Sequence, residues 1–141
     1  MGEKGKALRG RKGAIVTFVV ELRPSERVII DAATLDELFE RLGDRGAEGF
    51  VMQTVETISD ILSEVDAFVR HDALDEIPPR AQAVSRLCTE IGLTSLARVS
   101  RDMAISARKQ DLVAYRAIWE RLVRIGDRSL AMVWDMPGLS L

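Results

Sequence analysis

Residues 77–92 read Ile77-Pro-Pro-Arg-Ala-Gln-Ala-Val-Ser-Arg-Leu-Cys-Thr-Glu-Ile-Gly92. Paired prolines are tolerated in a first helical turn but not inside a helix, and a glycine suits the position just past a C-terminus, so both ends of a helix are marked. Between them Ile77, Ala81, Val84, Cys88 and Ile91 recur at steps of four, three, four and three, which gathers them into one buried seam. Gln82, Ser85, Arg86 and Thr89 fall on a flanking stripe that this reading places at the more exposed side. Cys88 sits on the seam and reads as a small buried hydrophobe rather than a nucleophile.

The same period extends in both directions. Upstream, Phe50, Val51, Val55, Ile58, Ile61, Leu62, Val65 and Val69 predict a long helix from Ala47 to Arg70, a rod of roughly 35 Å. His71-Asp72 closes it. Before it, Leu35, Leu38, Phe39 and Leu42 predict a shorter helix from Asp31 to Leu42, capped by Asp31 or Thr34, with Glu37 at the capping-box position relative to Thr34. Gly43-Asp-Arg-Gly46 separates the two. Downstream, Leu96, Val99, Met103 and Ile105 predict an inward face for a helix from Thr94 to Lys109. Asp111 then caps a last helix to Trp134, with Leu112, Tyr115, Ile118, Trp119, Leu122 and Ile125 facing the core.

Short turns between long helices favour antiparallel neighbours, so the expected fold is all-α: an up-down four-helix bundle with a short extra N-terminal helix. Residues 28–135 form the bundle, 1–27 a basic, flexible segment and 136–141 a short tail. Any sheet is expected to be confined to Ile15–Val20. The composition agrees, with 141 residues, 47% apolar, 30% charged and only 5% aromatic, a single helical domain able to bury a core.

Most hydrolytic and metal chemistry is made improbable by what is scarce. One cysteine and one histidine allow no internal disulfide, no cysteine-based zinc site and no His-rich metal centre. Glu40, Asp60, Glu64 and Glu120 offer carboxylates on helices, but a bundle metal centre also needs Glu-x-x-His pairs. No metal, no cofactor and no catalytic constellation is expected, and the chain is not read as an enzyme. The net charge of −2 hides an asymmetry, because residues 1–13 hold five cations against one carboxylate and the remaining chain carries −6. Four glycines among those thirteen residues read as a flexible terminus rather than a nucleic-acid arm. The apolar run 14–20 is too short to span a bilayer and lacks a small-residue cleavage site, which reads as a cytoplasmic protein with no membrane span.

The order of these elements resembles a histidine phosphotransfer domain over residues 28–134. The resemblance is carried by the capped Ile30-Asp-Ala-Ala-Thr-Leu-Asp-Glu-Leu38, by Ile91-Gly-Leu-Thr-Ser-Leu-Ala-Arg98 and by the turn Lys109-Gln-Asp-Leu112. In that family the acceptor is the histidine of His-x-x-Lys-Gly, ten residues before the glycine that ends the third helix. Counting back ten from Gly92 gives Gln82, with Ser85 and Arg86 at the positions of the family's Lys and Gly. A glutamine amide has no imidazole nitrogen to accept a phosphoryl group, and Ser85 brings no positive charge.

The resemblance therefore implies a partner-binding protein of a two-component phosphorelay that docks a response-regulator receiver domain or a histidine kinase without phosphotransfer. Gln82, Ser85, Arg86 and Thr89 would form the docking face. Two alternatives stand beside it: a helical adaptor or oligomerisation module unrelated to phosphorelay, and phosphotransfer through His71. No nucleic-acid partner is expected, and the sequence assigns no oligomeric state.

Overall fold

The computed structural model describes residues 17–23 and 26–135. The basic stretch 1–13 and the tail 136–141 lie outside the described residues. Strand β1 (Thr17–Arg23) pairs antiparallel with β2 (Glu26–Asp31), and four helices follow: α1 (Ala32–Arg70), α2 (Ile77–Glu90), α3 (Thr94–Arg108) and α4 (Leu112–Trp134). A 3-10 turn, Leu74–Glu76, leads into α2.

The helical class is as expected, and the hairpin is not. Its register runs from Thr17 opposite Asp31 to Val20 opposite Val28, with an irregularity between Glu21 and Arg23. Val28 and Ile30 are fully buried and Ile29 is half-buried, the period of two that a strand with one covered face must show. Strand pairing thus covers 17–23 and 26–27, where the sequence reading has a flexible segment, and extends beyond Ile15–Val20. β-Branched Val28, Ile29 and Ile30 form a run too short to reveal its period.

β2 is tied on its other edge to the turn between α2 and α3. The Asp31 amide donates to the Gly92 carbonyl at 2.8 Å, and the Ile29 amide donates to Ser95 Oγ at 2.7 Å. Gly92 makes the approach possible. Its φ of +83° is a left-handed value, and a Cβ there would stand 2.6 Å from the Asp31 carbonyl oxygen.

The span labelled α1 holds the two expected helices, 32–42 and 44–70, joined at a kink on Gly43, whose φ of 78° and ψ of 165° are non-helical. The expected break is therefore present, but narrower than Gly43–Gly46, because the helix resumes at 44. Asp31 is the cap, its carboxylate accepting the Ala33 amide at 3.1 Å while the Thr34 hydroxyl donates to its second oxygen. Thr34 is therefore not the cap, and the Thr34–Glu37 capping box does not form. Asp111 caps α4 as expected, accepting the Ala114 amide at 3.0 Å.

The α2 seam is buried along its length, with Ile77, Val84, Cys88 and Ile91 at 0% exposure. It meets Val51, Val55, Ile58 and Val65 of α1, Leu96, Val99 and Met103 of α3, and Tyr115, Leu122 and Ile125 of α4 in one core. Four residues expected inside are exposed: Leu42, Phe50, Ile105 and Leu112. Leu42 abuts the Gly43 break and Leu112 opens α4, so neither lies within a packed stretch. On α3 the inward positions are taken by Ala104 and Ala107, small enough to bring helices close, which turns Ile105 to solvent.

Candidate functional site

The outer side of α2 presents Gln82, Arg86 and Thr89 to solvent. Ser85, expected beside them, is buried instead. Its Oγ donates to the Ala97 carbonyl of α3 at 2.9 Å, and the Thr89 hydroxyl donates to the Ser85 carbonyl at 2.9 Å. A small hydroxyl between 82 and 89 therefore fastens α2 to α3, and the exposed candidate face is reduced to Gln82, Arg86 and Thr89. The opposite flank of α2 is held by Arg80, which donates to Glu64 of α1 at 2.9 Å and to the Glu76 carboxylate at 3.1 Å. Its guanidinium lies 4.6 Å from the Phe68 ring centroid, a cation–π distance.

His71 is the C-cap residue of α1, exposed, with its amide donating to the Phe68 carbonyl at 3.2 Å. It precedes the 3-10 turn and does not belong to the outer face of α2. The residue after it is more heavily engaged. Asp72, at φ +50°, accepts the buried Tyr115 hydroxyl at 2.6 Å and both the Nε and an Nη of Arg116, which joins the end of α1 to the start of α4. Hydrogen bonding from Tyr115, then from Arg116, holds the Asp72 carboxyl below its ordinary range. Burial, then the bond to Asp72, pushes the Tyr115 phenol up to about 12.

Cys88 is fully buried, and desolvation pushes its thiol up to about 12, so it is protonated and unreactive at neutral pH. Among the described residues no three His, Cys, Asp or Glu side chains converge on a metal position. Glu40, Asp60, Glu64 and Glu120 are all exposed, and Glu64 is paired with Arg80.

One concave feature escapes the sequence reading. A cavity of about 180 Å³ opens where β2 enters α1 and meets the α2–α3 turn, lined by Asp31, Thr34, Thr89, Gly92, Thr94, Ala97, Arg98 and Arg101. Its only local sequence signal is the step from Thr94 to Arg98 to Arg101, one outward stripe of α3. Asp31, Thr34 and Thr89 join that stripe only through the close approach at Gly92.

No protein-family model matches the chain, and no curated protein or solved structure matches it either. Among the described residues no helix is long and apolar enough to cross a membrane.

Proposed function

We propose that the chain is a partner-binding protein of two-component signalling, similar in plan to a histidine phosphotransfer domain, that docks a receiver or kinase domain without accepting phosphate. The observation that carries this reading is the exposed Gln82 amide on the outer face of α2, ten residues before the Gly92 turn, where the family places its acceptor histidine. Three contacts between helices fit the up-down arrangement this reading needs. Arg80–Glu64 joins the start of α2 to the end of α1, Ser85–Ala97 joins the middle of α2 to the first half of α3, and Tyr115–Val69 joins the start of α4 to the end of α1. The docking face consists of Gln82, Arg86 and Thr89, with Ser85 beneath them as a fastener. Acting this way, the protein occupies a receiver or kinase surface and competes with a true phosphotransfer partner in the cytoplasm.

The test is incubation of the full chain with a phosphorylated receiver domain and with an autophosphorylated kinase. No acid-labile phosphate should transfer, binding should be measurable, and Arg86→Glu should weaken it. Label that appears on the wild-type chain and vanishes with His71→Ala would move the function to His71.

A second reading, an oligomerisation or adaptor module, is favoured by the apolar residues around the α3–α4 turn. Ile105, Leu112 and Val113 are all exposed there, Val113 to 82%. Absence of binding to any receiver or kinase, together with a mass above the monomer in sedimentation, would select it.

A further inference from the structure

Arg98 and Arg101 line the cavity at the α2–α3 turn, and neither has an ion-pair partner among the described residues. They belong to an outward face of α3 that also exposes Arg108 and Lys109 and carries one carboxylate, Asp102. The one acid of α3, Asp102, faces Arg121 of α4 at 3.7 Å. On a chain whose residues beyond the basic tail sum to −6, this is a local concentration of positive charge, and its two innermost members overlook a cavity.

The other wall has the opposite character. The carboxylate of Asp31 accepts the Ala33 amide and the Thr34 hydroxyl yet keeps its charge and further lone pairs, so this wall offers a ligand acceptors and no cation. The Thr34 hydrogen is directed to Asp31 and the Thr89 hydrogen to the Ser85 carbonyl. Both threonine oxygens therefore keep lone pairs but no free hydrogen, and they act toward a ligand as acceptors. A bare oxyanion would satisfy the guanidinium side and meet lone pairs opposite. A ligand with an anionic end and hydroxyl donors satisfies both. At about 180 Å³ the space is smaller than the ~300–1,000 Å³ typical of drug-sized sites, which limits the ligand to a few carbons.

We propose that this cavity binds the phosphate monoester of a small polyol, with Arg98 and Arg101 holding the phosphate and the oxygens of Thr34 and Thr89 accepting from its hydroxyls. Arginine forks match phosphate oxygens, and each such charge-assisted contact is among the stronger hydrogen bonds available to a protein. The site shares Thr89 with the proposed docking face, but the arginines that carry it lie on α3, so its test stands apart from that of Gln82 and Arg86.

The experiment is calorimetric titration of the full chain with glycerol 3-phosphate, inorganic phosphate and glycerol. Saturable binding of glycerol 3-phosphate is expected, roughly tenfold tighter than inorganic phosphate, with none for glycerol. Arg98→Ala and Arg101→Ala, both at exposed positions that leave the core intact, should each weaken binding about tenfold or more, while Arg128→Ala on α4 leaves it unchanged. Thr89→Val should erase the preference for the ester over inorganic phosphate. Failure of glycerol 3-phosphate to bind, or undiminished binding in both Arg98→Ala and Arg101→Ala, would overturn the site. Equal affinity for inorganic phosphate would overturn the polyol assignment.

Discussion

Ser85 Oγ reaches 2.9 Å to the Ala97 carbonyl, so the position three residues after Gln82 is a joint between α2 and α3 rather than part of a free surface. This has a direct consequence for any attempt to install phosphotransfer. Ser85→Lys forces an ammonium into a buried position where a hydroxyl bonds the Ala97 carbonyl and should cost on the order of 3 kcal/mol, whereas Ser85→Ala should cost about 1 kcal/mol. The combined change of 82, 85 and 86 to His, Lys and Gly should therefore lower the melting temperature far more than Gln82→His alone, as read by differential scanning fluorimetry.

Val84 is fully buried, and Gln82 two residues earlier is exposed. Val84→Asp should destabilise by on the order of 3–5 kcal/mol, and Gln82→Ala by no more than about 0.5 kcal/mol. Urea denaturation of the two variants side by side checks which face of α2 is inside.

Glycines at 49 and 92 should respond in opposite directions to alanine. Gly49 lies in the helical part of α1 with nothing within 4 Å of a new Cβ, so Gly49→Ala should stabilise by about 0.5–1 kcal/mol. Gly92→Ala meets both a left-handed φ and the Asp31 carbonyl oxygen, and should cost about 2 kcal/mol or more. Thermal melts of the two variants decide it.

Stability should fall at both pH extremes through the contact of Asp72 with Tyr115. The folded Asp72 carboxyl titrates below its ordinary 3.8, so its contribution is present above that value and is lost as pH falls through the lower folded value. The folded Tyr115 phenol titrates near 12 against an ordinary 10.0, so its contribution is present below pH 10 and is lost as pH rises toward 12. Tyr115→Phe should flatten the alkaline decline, and Asp72→Asn the acid one, in melting temperature measured against pH.

Helix positions were legible in the sequence wherever apolar residues kept a period over several turns, as along α2 and in the long limb of α1. Prolines 78 and 79, Asp111 and Gly92 marked ends because their backbone chemistry is local. Ser85 reads outward in sequence because it is a polar side chain at the margin of an apolar seam, and the carbonyl that draws it inward belongs to another helix. Strand β2 escapes a sequence reading because three consecutive β-branched residues show no alternation until something covers one face. The cavity was invisible for the same reason. Asp31 and Gly92 are far apart in the chain, and nothing local to either announces that they will meet.

The bond from the Ile29 amide to Ser95 Oγ spans 66 residues. During synthesis β2 leaves the ribosome early, yet the serine that receives its edge and the helix that covers Val28 and Ile30 are made much later. The hairpin cannot reach its native seat until the chain has grown past α3. Until then Val28 and Ile30 stay uncovered on a nascent strand, so the interval before α3 emerges is the one in which this chain most invites a chaperone or a wrong neighbour.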